Sequence, residues 1–171
     1  MIPVSRRLDN EPWTALCVRR ADRDDAAVLA RLRHEFRAPL GDNVEGQDSF
    51  LDRCETWMRA RLHAESVWRV WIAELERRAL GCVWLQLLEK LPNPVAEPEW
   101  HGYISSFFVR DEARGRGVGS RLLRAALDEC DRLEADNVIL WPTPRSRSLY
   151  TRHGFTAADN MLVLRRAVGE T

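Results

Sequence analysis

The sequence predicts a mixed α/β fold, a central sheet of about six to seven strands with helices flanking it. Strand-like and helix-like apolar spacings alternate along the chain, and β-rich segments crowd the stretch between Val67 and Val109. Glycines at 115, 117 and 119 then separate the last of those segments from an amphipathic helical stripe. With 171 residues the chain is the size of one domain with a proper core. The expected organisation is a loose, unpatterned arm over residues 1–12 and a single domain over 13–168.

Trp13 to Arg20 alternates and reads as a first strand. Asp22 can cap the helix that follows, in which Ala26, Leu29, Leu32 and Phe36 recur at helical spacing. Residues 38–47 are rich in turn formers, and after Asp48 a second helix carries Phe50, Leu51, Cys54, Trp57, Met58 and Leu62 on one face. Val67 to Leu75 and Leu80 to Leu88 flank Arg77-Arg78 as a hairpin, which Trp100 to Val109 extends into a meander. The intervening segment 89–99 contains Pro92, Pro94 and Pro98 and is an excursion, because proline cannot donate to a central ladder. Beyond Gly117, the residues Leu122, Leu123, Ala126, Leu127, Cys130 and Leu133 form the stripe of a helix packed on a sheet. Val138 to Trp141 reads as a short buried parallel strand, and Ser146 to His153 as a short helix ended by Gly154. Phe155 to Ala157 and Met161 to Arg166 read as closing strands.

Lys plus Arg and Asp plus Glu number 26 each, so no global field favours nucleic acid or an anionic membrane. The uncharged run Ala79 to Leu88 is far too short to span a bilayer, and no export signal opens the chain. Cys17, Cys54, Cys82 and Cys130 are widely spaced and lack ligand-spaced histidines, so no metal site is expected and they read as reduced, buried thiols of a cytoplasmic protein. Of the seven tryptophans, Trp57, Trp68, Trp71, Trp84 and Trp141 occupy apolar phases and are expected in the core. Trp100, Phe107 and Phe108 are candidates to line a ligand cleft.

The chemistry concentrates in Phe107 to Leu123, where the glycines lie between a hydrophobic strand and an amphipathic helix. There the backbone can turn tightly and aim several N–H groups inward, and the helix dipole adds positive charge: an anion cradle. No Lys-Ser/Thr follows, as a P-loop requires, and the dinucleotide spacing would need a glycine at 120 or 122.

Arg114, Gly117 and Gly119 match the Arg/Gln-x-x-Gly-x-Gly/Ala signature of the GNAT superfamily of N-acetyltransferases, which this sequence resembles. The likeness extends to Leu149-Tyr150-Thr-Arg-His-Gly154-Phe155 and to the opening Val18-Arg-Arg-Ala-Asp22. It implies the GNAT fold, a mixed sheet splayed between strands four and five, with acetyl-CoA bound in the splay. The resemblance assigns the cofactor's pyrophosphate to the amides of Arg114, Gly115, Arg116, Gly117, Val118, Gly119 and Ser120. It assigns its pantetheine arm to the backbone of Phe107, Phe108 and Val109, with a strand-four bulge and the Phe107 N–H polarising the thioester carbonyl. Thr143, where the family often has asparagine, and Ser146 are further cofactor contacts, and Arg145, Arg147 and Arg152 are candidates for the 3′-phosphate. Tyr150 takes the place of the acid that protonates the leaving thiolate.

The implied reaction is transfer of an acetyl group to a primary amine of a small molecule or peptide by direct attack, through a tetrahedral intermediate. An alkyl ammonium with a pKa near 10 is only about one part in a thousand neutral at pH 7, so its proton needs a route out. Family members that use a strand-four glutamate place it where this chain has Tyr103. The remaining candidates for the base are Asp42, Glu45, Glu99, His101, or a water held by Ser105 or Ser106. The competing reading is a non-catalytic acyl-CoA-binding sensor, and a generic nucleotide binder is a third. The acceptor's identity and the acyl-chain length are not legible, and no feature decides for or against the homodimer common among similar proteins.

Overall fold

A computed structural model describes residues 12–41 and 45–164. Almost all of the expected arm, and the candidate base Asp42, lie outside the described residues. The described chain divides after Trp141 into two compact units.

The first unit is built on a sheet of five strands in the order β1-β2-β3-β4-β5. The elements are β1 (Cys17–Arg20), α1 (Ala26–Arg37), α2 (Gln47–Arg59), β2 (Trp68–Leu75), β3 (Arg78–Glu89), β4 (Trp100–Val109), α3 (Val118–Arg132) and β5 (Asn137–Ile139). β1 to β4 pair antiparallel, and β5 joins β4 in parallel after the α3 crossover that such a pairing requires. One layer of core, from Leu29 and Leu32 of α1 and Met58 of α2 to Val70, Ile72, Cys82 and Trp84, packs the first two helices on the sheet. On α3 the predicted stripe holds: Leu122, Leu123 and Ala126 are fully buried and Cys130 nearly so.

The hairpin and the meander form as expected, but the predicted first strand keeps only its second half, because Pro12–Ala15 forms a 3₁₀ turn. Proline presets φ for such a turn and lacks the N–H a ladder needs. Asp22 caps not α1 itself but the 3₁₀ turn Arg23–Asp25 that leads into it: its carboxylate accepts the Asp24 N–H at 2.9 Å, while its own N–H donates to Asp25 at 2.9 Å. Asp25, buried, also takes both ends of Arg19 at 2.8 and 2.6 Å, and Arg19 reaches on to Glu74 of β2 at 3.0 and 2.8 Å. The guanidinium thereby holds the Asp25 carboxyl below the usual carboxylate range. The hairpin turn sits on Glu76 and Arg77, with φ of 50° and 66°, one residue before the Arg77-Arg78 pair, since a two-residue hairpin needs both central residues left-handed.

Further departures lie at the far end of the chain. β5 pairs over only three residues at the edge of the sheet, so Val138 and Ile139 are half-buried and Trp141 is 54 % exposed, not a core residue. Cys17 is exposed and Cys54 half-buried, whereas Cys82 and Cys130 are buried, their thiols pushed up to about 12 and about 11 by desolvation. Phe155 to Ala157 forms no strand, because the Phe155 N–H is spent on the Tyr150 carbonyl at 3.1 Å. Residues 161–164 form none either: Leu162 and Leu164 are both exposed, leaving no buried face to pair; Arg165 and Arg166 lie outside the described residues. Among the described residues the sheet thus has five strands where about six to seven were expected. No helix among the described residues is long and apolar enough to cross a membrane.

Close approach between β3 and β4 depends on Gly81, where a Cβ would lie 2.5 Å from the Phe108 carbonyl oxygen, a backbone atom that cannot swing aside. Gly81→Ala should therefore lower the unfolding free energy by about 2 kcal/mol in urea titrations. Gly41→Ala, where a Cβ would meet nothing within 4 Å, should change it little.

Candidate functional site

β4 carries a bulge. Cys82 lies opposite Phe108 and Trp84 opposite Ser105, so Val83 alone faces both Ser106 and Phe107. Ser106 absorbs the extra residue at φ 45°, a left-handed conformation that costs a non-glycine residue about 1–2 kcal/mol. Neighbouring groups hold it there. Arg33 of α1 donates to Ser106 Oγ at 2.9 Å, and the Cys82 thiol points at the Ser106 carbonyl at 3.9 Å. Phe36 stacks on Phe108 with ring centres 5.5 Å apart, and Arg110 grips Glu35 of α1 at 2.8 and 2.6 Å.

On its other edge β4 pairs with β5 only at His101, Gly102 and Tyr103. From Ile104 to Val109 no strand lies beside that edge among the described residues, so the sheet opens between β4 and β5 as expected. Phe107, Phe108 and Val109, the residues predicted to face a cofactor arm, lie along this open stretch and are half-buried.

A short 3₁₀ turn, Asp111–Ala113, leads into the glycine loop. Arg114 organises the approach: its N–H donates to the Asp111 carbonyl at 3.2 Å, its Nε to the Val109 carbonyl at 3.0 Å, and its guanidinium pairs with Asp111. Gly115 and Gly117 have φ of 72° and 79°, values L side chains rarely adopt, and a Cβ on either would meet nothing within 4 Å. α3 starts at buried Val118 with Gly117 as its cap, so no side chain occupies the helix start, and no acid stands in its first turn. Arg121 is the first residue to bond back, to the Gly117 carbonyl at 3.1 Å. The N–H groups of Val118, Gly119 and Ser120 thus have no acceptor in a preceding turn. Arg116 is exposed and lies over the Trp13 ring at 5.5 Å.

In the second unit, α4 (Arg147–Arg152) is preceded by a closed polar knot. The Thr143 N–H donates to Ser146 Oγ at 3.0 Å, the two hydroxyls lie 3.0 Å apart, and the Ser146 N–H returns to the Thr143 carbonyl at 3.1 Å. At the far end Gly154 takes φ 89°, its N–H donating to Thr151 at 3.2 Å and that of Phe155 to Tyr150 at 3.1 Å. The Tyr150 and Phe155 rings meet edge to face at 5.7 Å. This is a Schellman cap with its hydrophobic contact, and it ties Tyr150, Gly154 and Phe155 into one unit. Tyr150 is buried, and burial pushes its phenol above the ordinary value, a hydrogen bond with Ser146 pulling the other way. Arg145, Arg147 and Arg152 are exposed.

The base candidates fare unequally. Glu45 is exposed and bound by Arg53 at 2.5 and 3.3 Å and by the Ser49 hydroxyl at 2.8 Å, which together lower its pKa and make it a poor base. Glu99 is exposed. His101 Nδ1 is 3.9 Å from Asp136 Oδ2, too far for a hydrogen bond, and lies six residues from Phe107, or about 20 Å along the strand. Tyr103 packs edge-on against Trp141 at 5.1 Å. Sequence reasoning missed Arg33, although a signal was present: it falls four residues after Leu29 on the apolar stripe of α1, where a charge is out of place. Among the described residues no group of three or more His, Cys, Asp or Glu could hold a metal ion.

A family model described as Acetyltransferase (GNAT) family matches residues 29–155. Among solved structures, a predicted acetyltransferase with acetyl-CoA from Clostridium acetobutylicum superposes with a TM-score of 0.72 at 21 % identity, covering 88 % of this chain and 96 % of that one. A GCN5-related N-acetyltransferase from Ralstonia eutropha JMP134 gives 0.72 at 24 % identity over 90 % of this chain and 99 % of its own. Glucosamine-6-phosphate N-acetyltransferase from Arabidopsis thaliana gives 0.66 at 15 % identity over 90 % and 99 %. These likenesses establish the fold. No curated protein matches the chain.

Gly154→Ala, which forces an L side chain into the left-handed cap, should cost about 1 kcal/mol in thermal unfolding. It should also loosen the ring contact, seen as altered near-ultraviolet dichroism.

Proposed function

From a chain that belongs to the acetyltransferase (GNAT) family, we infer an acyltransferase that moves an acetyl group from acetyl-CoA to a primary amine of a small molecule or peptide by direct attack. The observation that carries this is the glycine-capped start of α3, reached through a short turn from a β4 whose ladder with β5 stops at Tyr103. The fit to a diphosphate is chemical: the helix start offers bare N–H donors, open space over Gly115 and Gly117, and no carboxylate in its first turn. The Clostridium relative was solved with acetyl-CoA.

In this reading the amides between Arg114 and Ser120 hold the diphosphate, though that of Arg114 already serves Asp111, and the backbone of Phe107 to Val109 runs beside the pantetheine arm. Thr143 and Ser146 contribute further polar contacts, and residues 13–168 work as one domain. Acetyl-CoA supplies an activated thioester. The protein supplies position and electrostatics: the Phe107 N–H stabilises the developing oxyanion, and the Tyr150 phenol donates to the departing sulfur. Burial keeps that phenol protonated through the neutral range. With Glu45 acidified and His101 distant, the ammonium proton leaves through water on the Tyr103 and Ser105 side of β4. A second reading, an acyl-CoA sensor without turnover, draws on Tyr103 standing where related enzymes use a glutamate; acetyl-CoA binding without amine-dependent thiol release would favour it.

Ser120→Asp places a carboxylate against the first-turn N–H groups and should weaken acetyl-CoA binding at least about tenfold by calorimetry; unchanged affinity would remove the cradle from the site. Tyr150→Phe should lower kcat about a hundredfold with little change in acetyl-CoA affinity. Because the phenol's pKa is raised, the wild-type pH–rate profile should climb as the acceptor amine loses its proton, and should not fall until above the ordinary tyrosine value near 10.

A further inference from the structure

Most arginines of the first unit that enter the fold find a carboxylate. Arg19 takes Asp25 and Glu74, Arg110 takes Glu35, and Arg20, Arg69 and Arg132 converge on Glu129. Arg33 does not. It is half-buried, and desolvation, with the nearby charge of Arg37, lowers its pKa. Among the described residues its only hydrogen-bond partner is Ser106 Oγ at 2.9 Å, and no carboxylate comes within ion-pair distance. A guanidinium carries five N–H donors, and one neutral hydroxyl does not compensate the burial of a cation. Around it stand the Phe36 ring, 5.9 Å from its Cζ and stacked on Phe108, the Cys54 and Cys82 thiols, and Tyr103, the last three close enough to influence its charge.

Its position gives the unused donors a purpose. Arg33 meets β4 at the bulge, one residue before Phe107, on the face that α1 covers. We propose that Arg33 binds an anionic group of the acceptor, so that the acceptor is an amine that also bears a carboxylate or phosphate. The inference rests on the acetyltransferase reading, which places the thioester beside Phe107. A planar fork of donors suits either anion, and binding it there completes the ion pair the fold leaves open. Had Arg33 served only to prop the bulge, a neutral donor would hold Ser106 without burying a charge.

Matched amines that differ only in a remote anionic group test this: γ-aminobutyrate against its amide, and phosphoethanolamine against ethanolamine, each followed by thiol release from acetyl-CoA. The wild type should favour the anionic member of at least one pair by about tenfold or more in kcat/KM, and the pair with the larger ratio identifies carboxylate or phosphate. Arg33→Met should bring that ratio close to one, and Arg33→Lys should keep part of it. Ser106→Ala, which removes the hydroxyl and leaves the guanidinium, should retain the preference. Because each protein is its own reference, the ratio does not depend on how much of a variant folds. A wild-type ratio of one or less in both pairs, or a preference that survives in Arg33→Met, would overturn the inference while leaving the acetyltransferase reading intact. Absence of acetyl-CoA binding by calorimetry would overturn that reading itself.

Discussion

Where β4 passes Ser106 it takes in one residue more than β3 opposite, and much of the first unit is arranged to make that tolerable. A left-handed serine in a strand persists only if its surroundings over-determine it. Gly81 lets β3 approach the Phe108 carbonyl, and Arg33, Phe36 and Glu35 of α1 hold the chain at the bulge and just beyond it, through Ser106, Phe108 and Arg110. The consequence is a strand that keeps its antiparallel partner while its other edge, beyond Tyr103, has no strand beside it among the described residues. An exposed edge invites unwanted pairing in most proteins. In the proposed reading it is the surface along which the pantetheine arm lies.

Both ends of the proposed chemistry use the same device, a left-handed glycine at a helix terminus. At Gly117 it removes the side chain that would otherwise cap α3, leaving backbone donors for a ligand. At Gly154 it turns the chain so that the Phe155 N–H reaches the Tyr150 carbonyl and the Phe155 ring returns onto that of Tyr150. One glycine keeps a helix end open and the other closes one. The Arg114 side chain belongs to the same logic, since it ties the last β4 carbonyl to the loop and so links the strand's end to the cradle.

The charges divide along similar lines. Arg19, Asp25 and Glu74 join β1, the start of α1 and β2, and Glu129 gathers three guanidinium groups at the end of α3. Those groups neutralise one another and serve the fold. Arg33 stands apart because nothing in the described chain neutralises it. Of the acids considered as the base, Glu45 is already held by an arginine, in keeping with the proposed route for the acceptor's proton through water.

Local patterning was enough to read the helices α1 to α4, the meander and the glycine loop. Each depends on interactions between residues close in sequence: a 3.6-residue stripe, an alternating run, a glycine at a helix end. The twofold spacing of Arg114 to Gly119 and Tyr150 to Phe155 was legible for the same reason, and so was the family. What required the folded chain were outcomes set by partners far apart in sequence. Whether 13–16 is strand or turn, and whether Val138 to Trp141 is buried, depends on which strands have neighbours, and propensity does not record that. The residue that absorbs the bulge depends on a register 24 residues away, between Cys82 and Ser106. Above all, the arginine at an apolar phase of α1 is odd in the sequence but has no partner there: only the folded chain brings Ser106 to it and, among the described residues, no carboxylate, because electrostatic complementarity is a property of three-dimensional neighbours.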